Sequence, residues 1–103
     1  MIIRLTLIRS QHVETIQIER QVGKEQLQSM GVFDWPIWKK EASEFPWTYD
    51  ASETCYLLEG EVEVTPAGGD TVRFGAGDLV TFPAGMSCRW VISKAVRKHY
   101  RFD

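Results

Sequence analysis

The chain has no excess of charge of one sign. Its 12 Lys+Arg stand against 14 Asp+Glu, a formal charge of −2, and both signs are spread along its length. Without a basic stripe there is no footprint for nucleic acid, and no segment has the character of a membrane-surface helix. Long apolar runs are missing as well. The opening Met1-Ile2-Ile3-Arg4-Leu5-Thr6-Leu7-Ile8 is broken by Arg4 and closed by Arg9. That is too short for the apolar core of a signal peptide and far from a membrane span. Cysteine is scarce: Cys55 and Cys88 have no CxxC spacing, so free thiols are expected rather than a disulfide framework. Whether the two could bridge each other depends on Cα distances that a sequence does not carry. Internal repeats, low-complexity tracts and linkers are absent too. The expectation is a soluble, cytoplasmic protein with neither nucleic-acid nor membrane partners.

What is present is ordinary globular composition, 44% hydrophobic against 25% charged over 103 residues, the size of one domain. Period-two alternation dominates. Ile3, Leu5 and Leu7 alternate with Arg4 and Thr6, Ile16 and Ile18 with Gln17 and Glu19, and Val62 and Val64 with Glu61 and Glu63; each reads as a half-buried strand. Glu59-Gly60 is placed to turn a strand over 55–58 into one over 61–65. Pro66-Ala67-Gly68-Gly69-Asp70, Gly75-Ala76-Gly77-Asp78 and Pro83-Ala84-Gly85 are further turn clusters, introducing strands over 71–74, 79–82 and 87–92. A last strand is expected over 96–102. Residues 24–30 alone look helical, with Gly31 as the stop. Short strands at close intervals imply an all-β sandwich or barrel.

Two spacings are more specific. Glu53 is followed after six residues by Gly60. From Gly77 the chain runs five residues to Pro83, then to Gly85 and Cys88. These spacings resemble the two motifs of the cupin family, one running Gly, His-x-His, Glu, Gly and the other Gly, Pro-x-Gly, His. With Asp78-Leu79-Val80-Thr81-Phe82-Pro83-Ala84-Gly85 the likeness spans residues 45–92. A closer likeness rests on Trp35-Pro36-Ile37-Trp38, Phe45-Pro46-Trp47, Glu53-Thr54-Cys55-Tyr56, Leu58-Glu59-Gly60-Glu61-Val62 and Arg97-Lys98-His99-Tyr100. Here the chain is similar to small single cupins related to the cupin domain of ureidoglycine aminohydrolase. The resemblance implies one cupin-like domain over 1–103. It would be a small jelly-roll-like β-barrel with a core of about 35–103, and 1–34 would add N-terminal strands and a short helix.

Metal-binding cupins hold an ion with three histidines and a glutamate. On that pattern Glu53 takes the glutamate position, Trp47 and Tyr49 the His-x-His pair, and Cys88 the last histidine. His12 and His99 lie outside the motifs. Glu53 and Cys88 are thus the only candidate metal ligands, short of the three or more that a catalytic ion normally needs. No cofactor is expected.

The cupin register points Trp47, Tyr49, Glu53, Cys55, Cys88 and Trp90 into the cavity. Aromatic walls around one carboxylate suit a small amine, amide or planar ligand. Trp47, Tyr49, Glu53, Cys88 and Trp90 are accordingly the candidate ligand-binding residues, with Cys55 and Lys98 as additions. Each has a plainer reading. The thiols are ordinary small buried hydrophobes, and Glu53 is a structural carboxylate if a cation pairs with it. Alternation over 96–102 places Lys98 inward, within reach of Glu53, and His99 outside. The segment 35–38 reads as a sheet-edge or dimer contact, since tryptophan is enriched in interface hot spots, and a homodimer is expected. Three functions fit: a metal-poor small-molecule binder, which is preferred; a metal-dependent enzyme of the ureidoglycine aminohydrolase type, using manganese or a similar ion; and a structural or interaction domain with a filled barrel.

Overall fold

The computed structural model describes residues 15–103. The expected strand around Ile3, Leu5 and Leu7, and His12, lie outside the described residues. Among the described residues there are seven strands: β1 Gln17–Glu19, β2 Ile37–Lys40, β3 Ser43–Thr48, β4 Glu53–Pro66, β5 Val72–Gly75, β6 Leu79–Phe82 and β7 Ser87–Phe102. They form one antiparallel sheet in the order β1-β6-β4-β7-β2, with β3 also on β7 and β5 on β4. The fold is an all-β cupin-type barrel with one short helix. No helix among the described residues is long and apolar enough to cross a membrane.

Helix α1, Lys24–Met30, ends on Gly31, whose backbone is left-handed at φ 76°, and a 3-10 turn over Val32–Asp34 follows at once. Leu27 and Val32 are buried with Leu79 in a small cluster that Val22, Met30, Trp35 and Tyr56 complete. This cluster covers the outer side of the sheet. The main cluster gathers Tyr49, Cys55, Leu57, Val62, Val64, Phe74, Val80, Phe82, Cys88, Trp90, Ile92 and Val96, the inner residues of four strands, β4 to β7, with Tyr49 from just after β3.

The expected turn at Glu59-Gly60 is not a turn, and the two strands expected over 87–92 and 96–102 are one. Residues 55–58 and 61–65 belong to the single 14-residue strand β4, and 87–92 and 96–102 to the single 16-residue strand β7. Where the two long strands pair, the register shifts between Leu57 and Val62, so extra residues are taken up as bulges that bend the pair instead of ending it. Gly60 lies in that stretch at φ 117°, and a Cβ there would come within 2.8 Å of the Ala95 carbonyl oxygen. Its positive φ, which the expected turn would also have needed, serves a close backbone approach and not a chain reversal. Gly77, at φ 94°, does sit in a turn. Asp78 fixes that turn: its carboxylate accepts from the Gly75 backbone N–H at 2.9 Å and from the Arg20 guanidinium at 2.9 Å.

Candidate ligand-binding site

The site is assembled from four strands, β2, β3, β4 and β7. On β4, Glu53, Cys55 and Leu57 share the inner face; on β7, Trp90, Lys98, Tyr100 and Phe102 do. Register sets Lys98 opposite Leu57 on one side and opposite Trp38 of β2 on the other. Strand β3 brings Phe45 against Trp90 and Trp47 against Cys88. A cavity of about 230 Å³ results, lined by Trp38, Phe45, Trp47, Tyr49, Glu53, Trp90, Lys98, Tyr100 and Phe102.

Its walls are aromatic. Phe45 and Trp90 stack with their planes 13° apart, and Trp38 meets Trp90 edge-on with ring centres 6.2 Å apart. The Trp90 indole N–H donates to the Tyr49 hydroxyl at 3.2 Å, and Tyr49 in turn stacks on Phe82 at 4.7 Å. These contacts fix the rings, because a buried Tyr or Trp keeps its orientation once its polar end has a partner. Trp47 and Phe102 are about half exposed and form the rim.

Charge enters as a pair. The Lys98 ammonium donates to Glu53 Oε2 at 2.7 Å, and the two side chains are 6% and 5% exposed. The same ammonium lies 4.9 Å from the ring centre of Trp38 and 4.8 Å from that of Trp90, so two indole faces share in stabilising it. Glu53 is therefore not the lone charge of the cavity, as the inward-facing motif residues taken alone implied. Burial pushes the Tyr49 phenol well above its ordinary range, and the nearby charge of Glu53 adds to that. Burial likewise pushes the Cys55 thiol up to about 12. Both stay protonated at neutral pH.

Of the expected site residues, Trp47, Tyr49, Glu53, Trp90 and Lys98 meet at the cavity. Cys88 and Cys55 are not among its lining residues: both thiols are free and buried, and the Cys88 thiol donates to the Trp47 carbonyl at 3.6 Å. Trp38, Phe45, Tyr100 and Phe102 were not in the expected set. Trp38 lies on β2, the end strand of the sheet, as the sheet-edge reading of 35–38 expected, and its ring also lines the cavity. Its signal was available in Trp38-x-Lys40 on a strand, which gives one inner face, but the partner strand was not readable. His99 is on the outer face as expected, yet it is buried. Its Nδ1 lies 2.8 Å from the Trp35 carbonyl oxygen, and Phe33 covers its ring edge-on at 5.8 Å.

The metal ion that the cupin motifs imply does not suit these residues. Glu53 is already engaged by a tethered ammonium, Trp47 has no donor to offer a metal, and the Cys88 thiol is turned to a backbone carbonyl. Among the described residues, no three His, Cys, Asp or Glu side chains are grouped so as to hold an ion.

A family model of the EutQ-like cupin domain matches residues 27–100. A DUF861-family protein of Thermotoga maritima is 50% identical over 86% of this chain and all of that one, with a TM-score of 0.83. A putative ethanolamine utilization protein Q of Salmonella typhimurium is 33% identical, covering 62% of this chain and 51% of that one, with a TM-score of 0.56. The EutQ protein of Clostridium difficile, at 16% identity over 85% of this chain and 67% of that one, shares the fold with a TM-score of 0.57. No curated protein matches. A family model that takes in most of the chain and a relative half identical over nearly its whole length agree: the chain belongs to the EutQ-like cupin family.

Proposed function

We propose that the protein binds a small polar molecule in the barrel cavity without a metal. The observation that carries this reading is the Glu53–Lys98 pair, buried at 2.7 Å on the wall of an aromatic cavity of about 230 Å³. A pair needed only for structure would be better replaced by packed apolar side chains, since desolvating two charges offsets much of their attraction. Its place beside open volume speaks against a filled barrel. The volume is below the roughly 300–1,000 Å³ of drug-sized sites, so the ligand is small. Trp47, Tyr49 and Trp90 would bound it, and Glu53 and Lys98 would orient it. Cys55 and Cys88 would serve only in packing.

An enzyme of the ureidoglycine aminohydrolase type is the weaker reading, because metal-dependent chemistry would need donors that this cavity does not group together. A homodimer remains part of the proposal: the sheet order leaves β2 as an end strand with Ile37 exposed, and an uncovered edge invites pairing. Light scattering that gives the mass of one chain at tens of micromolar would remove that part.

The test of binding is a thermal-shift screen of small polar molecules, repeated on Phe45→Trp to fill the cavity. Compounds should stabilise the native protein and lose their effect in the filled variant. Equal shifts in both would place binding elsewhere.

A further inference from the structure

We propose that the cavity selects a neutral molecule presenting a hydrogen-bond acceptor and a donor side by side, as a primary carboxamide does, and that it discriminates against both amines and carboxylates. This rests on the reading of the cavity as a ligand site and names the class of ligand.

The argument begins with unused bonding capacity. An ammonium carries three N–H donors and an ionised carboxylate about four acceptor positions. Among the described residues, the bond from Lys98 Nζ to Glu53 Oε2 is the one hydrogen bond that either side chain makes. The indole faces of Trp38 and Trp90 stabilise the ammonium electrostatically but accept no conventional hydrogen bond from it. Both groups are more than nine-tenths buried, and both line the cavity. Buried polar groups are normally satisfied, and an unmet one is costly. A ligand that supplies an acceptor to Lys98 and a donor to Glu53 removes both deficits at once.

Charge then narrows the class. An amine seated against Glu53 would bring a second cation close to Lys98, and a carboxylate seated on Lys98 would bring a second anion close to Glu53. In a cavity walled by rings such like-charge contacts are weakly screened. The internal pair makes the site neutral overall, so a neutral ligand meets no repulsion. Tyr49 adds a hydroxyl and no charge, since burial keeps its phenol protonated. A planar amide can also lie between aromatic walls, where Phe45 and Trp90 already stack.

The experiment follows the indole N–H signals of Trp38 and Trp90 by nuclear magnetic resonance during titration with four molecules of similar size: propionamide, propylammonium, propionate and butanone. Propionamide should move these signals at concentrations about tenfold lower than either ion, which corresponds to about 1.4 kcal/mol. In Lys98→Met the preference should pass to propylammonium, and in Glu53→Gln to propionate. The ranking on the native protein decides the matter even if a variant fails to fold. Either ion binding as well as the amide overturns the proposal. If butanone moves the signals and propionamide does not, the cavity still binds small molecules but the donor–acceptor selection is wrong. If none of the four moves them, the proposed ligand class is wrong as well.

Discussion

Near the start of β4, Glu53 meets Lys98 at 2.7 Å with both side chains buried; near its end, Glu63 meets Arg73 at the same 2.7 Å with side chains 43% and 72% exposed. The distances are equal and the consequences are not. At the exposed end water screens the charges and would solvate either one alone, so the contact adds little. At the buried end neither charge has water to return to, and each depends on the other. The same strand thus carries a surface ion pair that is dispensable and an internal one that conditions its surroundings. The difference comes from what flanks the pair: Trp38 and Trp90 over Lys98, against open solvent over Arg73.

The largest effect should come from removing one partner of the buried pair. Lys98→Met leaves the buried Glu53 without its partner and is expected to cost about 3–5 kcal/mol. Urea denaturation with far-ultraviolet circular dichroism measures it. A loss under 1 kcal/mol would mean that water reaches Glu53 and that the two ends of β4 are more alike than their burial suggests. The double substitution Glu53→Leu with Lys98→Met should recover most of the loss, because two apolar side chains leave no charge stranded. A double variant as unstable as the sum of its parts would contradict that.

A smaller effect concerns alkali. The Cys55 thiol sits at about 12 in the fold against an ordinary 9.0, mainly through burial, with Glu53 raising it and Lys98 opposing. Below pH 9 the thiol is protonated in both folded and unfolded chains, and its contribution is complete. Between 9 and 12 the unfolded chain releases the proton while the folded chain holds it, so stability falls as pH rises. The slope is about 1.4 kcal/mol per pH unit for this one group. Tyr49, also raised from its ordinary 10.0, joins in the same direction above that value. Relative to the native protein, Cys55→Ala should flatten the decline between pH 9 and 10. An unchanged slope would show that another group drives it.

Period-two alternation, read in the register that the cupin resemblance implies, placed Tyr49, Glu53, Cys55, Cys88 and Trp90 inward, and alternation over 96–102 brought Lys98 within reach of Glu53. It failed where a local signal has two structural uses. Glu59-Gly60 announces a positive φ, which both a tight turn and a bulge require; only the approach of Ala95 across the strand pair separates them. Alternation also names a face and not what covers it. His99 was correctly assigned to the outer face, but its burial depends on the 3-10 turn and on Phe33 folding over it. The cavity walls from Trp38 and Phe45 stayed hidden for a related reason: their position against Lys98 and Trp90 is set by long-range register, which no short motif encodes. Asp78 fell within the recognised second motif, yet its clamp on Arg20 joins residues 58 positions apart.

The smallest effect belongs to the exposed pair, and it is the sharpest control on the comparison. Arg73→Ala removes a 2.7 Å contact to Glu63 that matches the buried one in length. Because Glu63 is 43% exposed, its carboxylate is solvated as soon as the guanidinium is gone. The two residues also face each other directly across β4 and β5, and a cross-strand pair of opposite charges contributes roughly 0.2–1 kcal/mol at most. The expected loss is about 0.5 kcal/mol, shrinking further in 0.5 M salt as screening rises. Measured beside Lys98→Met under the same conditions, it isolates burial from geometry. If the two substitutions cost the same, distance rather than desolvation governs these pairs, and the dependence of Glu53 on Lys98 loses its physical basis.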